Sequence, residues 1–238
     1  TCQLTSHTGQ AGEGYLSTSG QQLVFQSERE VDNPFSQIYT LDLKTDKYHR
    51  ISTGKGKATC AFFHPTGSRI LFASNHHDSQ TAEDQGAEAK LHSSFWERKY
   101  SSVYDENMEI YTADRSGQEL RRLTNHVGYD AQGTYSPNGE HIVFCSFRSA
   151  YPIDQLSEEN QKRFKVNPSY FGEIYLMRYD GSKVQRLTYQ PGYDGGPFFS
   201  PDGKKIIWQR FDYEGLTSDI FTMDLDGKNQ QQVTRFES

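Results

Sequence analysis

Long apolar runs are missing from this sequence. No stretch approaches the length of a transmembrane helix, so a helical membrane span is not expected. An excess of basic charge is missing too. The chain carries 25 Lys and Arg against 31 Asp and Glu, a net charge of -6. Binding to a phosphate backbone rests on clustered Lys and Arg, so a nucleic acid is excluded as the main partner. No charged start followed by an apolar core opens the sequence, so no signal peptide is read. The chain therefore reads as cytoplasmic or as a mature, processed form. Cysteine is scarce, with Cys2, Cys60 and Cys145 in no CxxC spacing, which argues against a zinc ribbon or a thioredoxin-like motif. These thiols read as buried or free, with a Cys2–Cys60 bridge left open. Helical periodicity is weak throughout; only "AEDQGAEAKL" and "DQLSEENQKRF" look helical. The common catalytic signatures are absent: no GxSxG elbow, no HExxH helix and no GxxxxGK[ST] loop.

Aromatics and glycine are plentiful, and they recur in order. The stretch "FSPDGKKIIW" (199–208) has relatives in "YSPNGEHIVF" (135–144), "FHPTGSRILF" (63–72) and "LSTSGQQLVF" (16–25). Each places a large apolar residue before a polar turn, then an apolar run closing on an aromatic. Gly20, Gly67, Gly139 and Gly203 supply the turn position that needs positive φ. A second motif follows each copy: "QIYTLDLKTDKYHRIST", "EIYTADRSGQELRRLT", "EIYLMRYDGSKVQRLT" and "DIFTMDLDGKNQQQVT". Its turns centre on Gly117, Gly181 and Gly227, with Lys44-Thr45-Asp46 in the first copy. Two hairpins in succession make one antiparallel unit of strands a, b, c and d. A four-stranded unit of roughly 40–45 residues is a β-propeller blade.

The closing threonines Thr5, Thr53, Thr124, Thr188 and Thr234 are spaced by 48, 71, 64 and 46 residues. The expected fold is an all-β propeller in a single domain over 1–238. It comprises a closing strand 1–5, blade 1 at 6–53, blade 2 at 54–124, blade 3 at 125–188 and blade 4 at 189–234. Blades 2 and 3 carry inserts. Four blades without a further a–b–c set suggest the front part of a larger ring, with a four-bladed ring and a spare strand as the alternative.

These motifs resemble the TolB-type, WD40-like repeat β-propeller. The "LT" ending, the "FSPDG" turn and the "EIY/DIF" strand carry the resemblance over nearly the whole chain; "LSTSG" in the first blade departs most. The resemblance implies a six-bladed ring, a periplasmic or secreted location, and a non-catalytic role in holding proteins or peptides of the bacterial envelope. It also implies one alternative, a substrate-gating accessory to a fused or associated peptidase. A further alternative is a metal-dependent lyase or hydrolase using the channel mouth.

Propeller geometry puts the d–a and b–c loops on one side. The candidate channel-mouth residues are Tyr129, Asp130, Tyr193 and Asp194 in the repeated "GYD", with Arg148 and Arg210 at the ends of strand b. Two roles for the aspartates are open: ligands for a cation such as Ca²⁺ in the channel, or caps on backbone N–H groups at the strand start. No other cofactor is expected. His76 and His77 are weak metal candidates, since neighbours on a strand point opposite ways. Phe95, Trp96, Arg98 and Tyr100 in the blade 2 insert have the composition of an interface anchor.

Overall fold

Sixteen described strands form four antiparallel sheets of four strands, and every sheet follows chain order. The computed structural model describes residues 4, 10–81, 83, 104–212, 215 and 217–235. The first sheet holds β1 (Ala11–Leu16), β2 (Gln22–Ser27), β3 (Gln37–Asp42) and β4 (Lys47–Arg50). The second holds β5 (Ala58–Phe63), β6 (Arg69–Ser74), β7 (Glu109–Asp114) and β8 (Arg121–Arg122). The third holds β9 (Asp130–Tyr135), β10 (His141–Ser146), β11 (Glu173–Arg178) and β12 (Gln185–Arg186). The fourth holds β13 (Asp194–Phe199), β14 (Lys205–Phe211), β15 (Ser218–Asp224) and β16 (Gln231–Gln232). These are the a–b–c–d blades expected from the repeat. No helix among the described residues is long and apolar enough to cross a membrane. The "AEDQGAEAKL" helix and the insert residues Phe95, Trp96, Arg98 and Tyr100 lie outside the described residues, Glu83 excepted.

Two compact units divide the chain, one of residues 1–103 and 111–121, the other of 104–110 and 122–238. Period-two alternation builds both cores. In the first unit Val24 and Ile38 pack with Ala58, Phe63, Ile70, Phe72 and Tyr111. Phe25, Tyr39 and Leu41 lie on the opposite face of the first sheet and make a separate cluster. In the second unit Val143, Ile174, Leu176 and Leu187 of the third sheet meet Ile206, Trp208 and Met223 of the fourth. Each large side chain so buried contributes about 1.5–3 kcal/mol. The far face of the fourth sheet repeats the pattern but is uncovered. Ile207 aligns with buried Val143 yet is 38% exposed, and Val233 aligns with buried Leu187 yet is 59% exposed.

The turns follow the glycines. Gly20, Gly67, Gly139 and Gly203 all have φ between 68° and 75°. In the c–d turns glycine is needed twice over. At Gly181 φ is 86°, and a Cβ would stand 2.5 Å from the Leu123 carbonyl oxygen of the preceding blade's last strand. In the first blade Asp46 takes this conformation at φ 54°.

Every strand a carries a bulge, and the extra residue is left-handed: Glu13 (φ 47°), Cys60 (φ 54°), Gln132 (φ 57°) and Gly196 (φ 58°). Only the fourth blade uses the residue that accepts this conformation without cost. Glu13 is exposed, so Glu13→Gly is expected to stabilise the fold by up to about 1 kcal/mol, read as a rise in melting temperature. A fall in melting temperature would show that the Glu13 side chain makes a contact worth more than the strain.

The "LT" endings are hydrogen-bonding devices. Thr124, Thr188 and Thr234 each accept the N–H of the strand c isoleucine, at 2.9 Å for Ile110, Ile174 and Ile220. Ser52 does the same for Ile38 in the first blade. The residue before that isoleucine binds back to strand d: Glu109 to Arg122 at 2.7 Å, Glu173 to Arg186 at 2.5 Å, and Asp219 to Gln232 at 2.8 Å. The "EIY" and "R-x-T" signatures thus close the second and third blades at one corner, and "DIF" with "Q-x-T" closes the fourth.

Candidate functional site

The two "GYD" aspartates are among the most buried groups in the chain, both 0% exposed. Neither acts as an N–H cap; each meets an arginine. Asp194 lies directly across from Arg210 in the β13–β14 register, and the pair is bidentate, with both N–O distances at 2.7 Å. Asp130 lies across from Ser146, and its Oδ2 pairs with Arg148. The two arginines do not occupy equivalent positions, contrary to the sequence expectation. Arg210 aligns with Ser146, and Arg148 sits two residues farther on, in a 3-10 turn (Arg148–Ala150) that brings it back to the same carboxylate.

What repeats is the seat of the cation rather than its position in the chain. Arg148 lies over Phe144 and Tyr175 at 5.3 and 5.2 Å, and Arg210 over Trp208 and Phe221 at 5.4 and 4.8 Å. These are the matching aromatic pairs of strands b and c. In the first blade Arg29 lies over Phe25 and Tyr39 at 5.1 and 4.8 Å. In the second blade His76 packs on Tyr111 with ring centroids 4.4 Å apart. Three of the four reach the seat from a serine two residues earlier: Arg29 to Ser27, His76 to Ser74 and Arg148 to Ser146. So His76 is the imidazole version of a repeated clamp, and His77 bonds the Tyr111 hydroxyl at 2.9 Å. Among the described residues no three His, Cys, Asp or Glu side chains converge as metal ligands.

Tyr129 and Tyr193 are wedges. Tyr129 packs on Tyr104 and Phe147 at 5.2 and 5.0 Å, and Tyr193 on Phe147 and Phe211 at 6.4 and 5.7 Å. Tyr193 also donates to Gln132 at 2.9 Å. Gly195 allows the Tyr193 ring to lie across its backbone, and Gly196 is the bulge residue.

The acids of this corner are destabilised by burial. Desolvation pushes the Asp130 carboxyl up to about 6 despite the opposing pull of Arg148. It pushes Glu173 up to about 7 despite Thr188 and Arg186. A raised folded value means that stability is fully present below the ordinary carboxylate range and is lost as pH rises through the raised values. Turn aspartates such as Asp42, Asp114 and Asp180 are lowered by their own turn hydrogen bonds and act in the opposite sense, losing their contribution in acid. Stability should therefore peak near roughly pH 4 and decline toward pH 7. Melting temperature against pH checks this, and Asp130→Asn with Glu173→Gln should flatten the decline. A melting temperature that rises from roughly pH 4 to 7 would contradict it.

Outside these pairs the same side of the second unit carries two features. One is a cleft of about 230 Å³ lined by Glu106, Glu109, Arg122, Asn125 and His126 among others. The other is the blade 3 insert, which contains helix α1 (Glu158–Val166). Ser157 caps α1 by accepting from the Asn160 N–H at 3.3 Å. Tyr151, Phe164, Phe171 and Tyr170 stack edge to face or tilted along it, 5.2–5.6 Å apart.

No family model matches the sequence. A "Protein TolB homolog" of Chlorobium chlorochromatii is 29% identical over 122 residues, covering 42% of this chain and 28% of that protein. An uncharacterized protein of Agrobacterium fabrum is 28% identical over 140 residues, covering 56% of this chain and 41% of that one. The crystal structure of TolB from Acinetobacter baumannii superposes with a TM-score of 0.65 at 20% identity, over 97% of this chain and 45% of that one. The matched stretches thus span less than half the length of these curated relatives. Its fold is a TolB-like β-propeller of bacterial type.

Proposed function

We propose that this chain is a non-catalytic binding propeller of the bacterial cell envelope, periplasmic or secreted, which holds a protein or peptide on the side of its d–a and b–c loops. The blade 3 insert is the observation that carries this reading. Its helix α1 buries no residue, yet it is capped, held on an aromatic stack and tethered by the Tyr151 hydroxyl to Glu106 at 3.2 Å. An ordered loop that adds nothing to the core is built for contact with something else. Val166 at its end is 87% exposed. The strand-start acids support the non-catalytic part, because Asp130, Asp194, Glu109 and Glu173 are each paired with an arginine. Similarity to a TolB homologue supports the envelope.

The test is a photo-cross-linking amino acid placed at Val166, with a second at Asn138 in the opposite a–b turn. Exposure to envelope extract should give protein adducts from the first position and not the second. Equal labelling from both would sink the proposed side. An adduct to a peptidase would favour the accessory-domain alternative. Peptide turnover by the purified chain, lost on Asp194→Ala, would overturn the non-catalytic reading.

A further inference from the structure

The residue before the strand c isoleucine is a carboxylate or its amide in all four blades, and in three of them every side-chain oxygen is satisfied. Gln37 Oε1 accepts from Ser52 Oγ and the Gly54 N–H. Glu173 accepts from Arg186 at Oε1 and Thr188 at Oε2. Asp219 accepts from Thr234 at Oδ1 and Gln232 at Oδ2. Glu109 is the exception. Its Oε1 accepts from Arg122 and from the His126 N–H at 2.9 Å, while its Oε2 has no partner although the residue is only 2% exposed. A buried carboxylate oxygen left without a donor is costly, and native folds rarely keep one.

The neighbourhood of this blade differs as well. In the third blade Tyr189 follows the closing threonine and lies over the Arg186 guanidinium at 4.5 Å. The aligned residue in the second blade is Asn125, which is exposed and carries no ring. A ring thus lies against the arginine in the third blade and none does at Asn125, where a cleft is lined by Glu109, Arg122 and Asn125. Glu109 is balanced by Arg122, and Glu106 on the rim adds a further negative charge.

We propose that this cleft is a subsite for a primary ammonium group, the tip of a lysine side chain carried by the bound partner; the inference rests on the binding role proposed above. An ammonium brings only donors, which is what an unpaired carboxylate oxygen and a rim carboxylate require. Its single charge matches the one excess negative charge. A divalent ion is less suited, because hard cations take six or more oxygen ligands and no three ligating side chains converge here among the described residues.

The test follows the backbone amides of Asn125 and His126 by NMR in the full chain. The probes are Nα-acetyl-lysine methylamide, its norleucine counterpart lacking the ammonium, and calcium chloride. The lysine probe should shift both amides saturably and the norleucine probe should not. Asn125→Tyr, which copies the third blade and leaves Glu109 in place, should weaken the response at least tenfold. Glu109→Gln, the amide that the first blade already uses, should weaken it as well. An absent or non-saturating response, an equal response to norleucine, an unchanged response in Asn125→Tyr, or a response to calcium alone would each overturn the proposal. Val166 adducts without an amine response would remove the subsite and leave the binding role standing. An amine response without adducts would do the reverse.

Discussion

Arg210→Met should destabilise the protein by about 3–5 kcal/mol, because it strands a fully desolvated carboxylate. Asp194 is 0% exposed and both of its oxygens bind Arg210, so the substitution leaves a charge that neither water nor another cation can reach. Asp194→Ala on top of it should recover most of the loss. The second blade already places Ala58 at that strand position, fully buried, with no carboxylate to satisfy. Methionine also keeps a contact with Trp208 and Phe221, over which the guanidinium lies. Denaturant unfolding of the two single variants and the double variant would measure the coupling. A double variant as unstable as Arg210→Met alone would mean that Arg210 acts through its aromatic seat and not through Asp194.

Thr188→Val should cost about 2–4 kcal/mol, because one isosteric change leaves two buried groups without partners at about 1–3 kcal/mol each. The hydroxyl accepts the Ile174 N–H at 2.9 Å and donates to Glu173 Oε2 at 2.6 Å. Its exposure is 0%. The same change at Thr234, which has matching bonds but is half-buried at the edge of the fourth sheet, should cost clearly less. Equal losses at the two sites would show that burial does not set the cost. Circular dichroism melts suffice to rank them.

The blades were legible because their signals are local. Period-two alternation, turn glycines and aligned threonines each depend on a few neighbouring residues, and the sheets appear where those signals lie. α1 was legible for the same reason. The clamps were not. Arg29, His76 and Arg148 follow a serine by two positions, a spacing present in "SER", "SNH" and "SFR", but its meaning depends on an aromatic pair contributed by two strands. Arg210 reaches the same seat from a different position, so alignment alone misassigns its partner. The open corner at Glu109 was hidden further. Only comparison of four hydrogen-bonding networks separates it from Glu173, and the difference beside it, Asn125 where the third blade has Tyr189, looks like ordinary loop variation. The "GYD" stretch drew attention as a binding mouth; Asp194 is held at both oxygens by Arg210 and Asp130 at Oδ2 by Arg148, with Asp130 Oδ1 buried and unpartnered, and the tyrosines pack on neighbouring aromatic rings.

The division between scaffold acids and binding loops is tested most directly by calorimetric unfolding in calcium chloride and in EDTA. With Asp194 bound at both oxygens by Arg210 and Asp130 held by Arg148, the melting temperature should be the same in both. A melting temperature that rises with calcium in the native chain, and no longer does so in Asp194→Ala with Arg210→Met, would contradict it and make the aspartates a cation site.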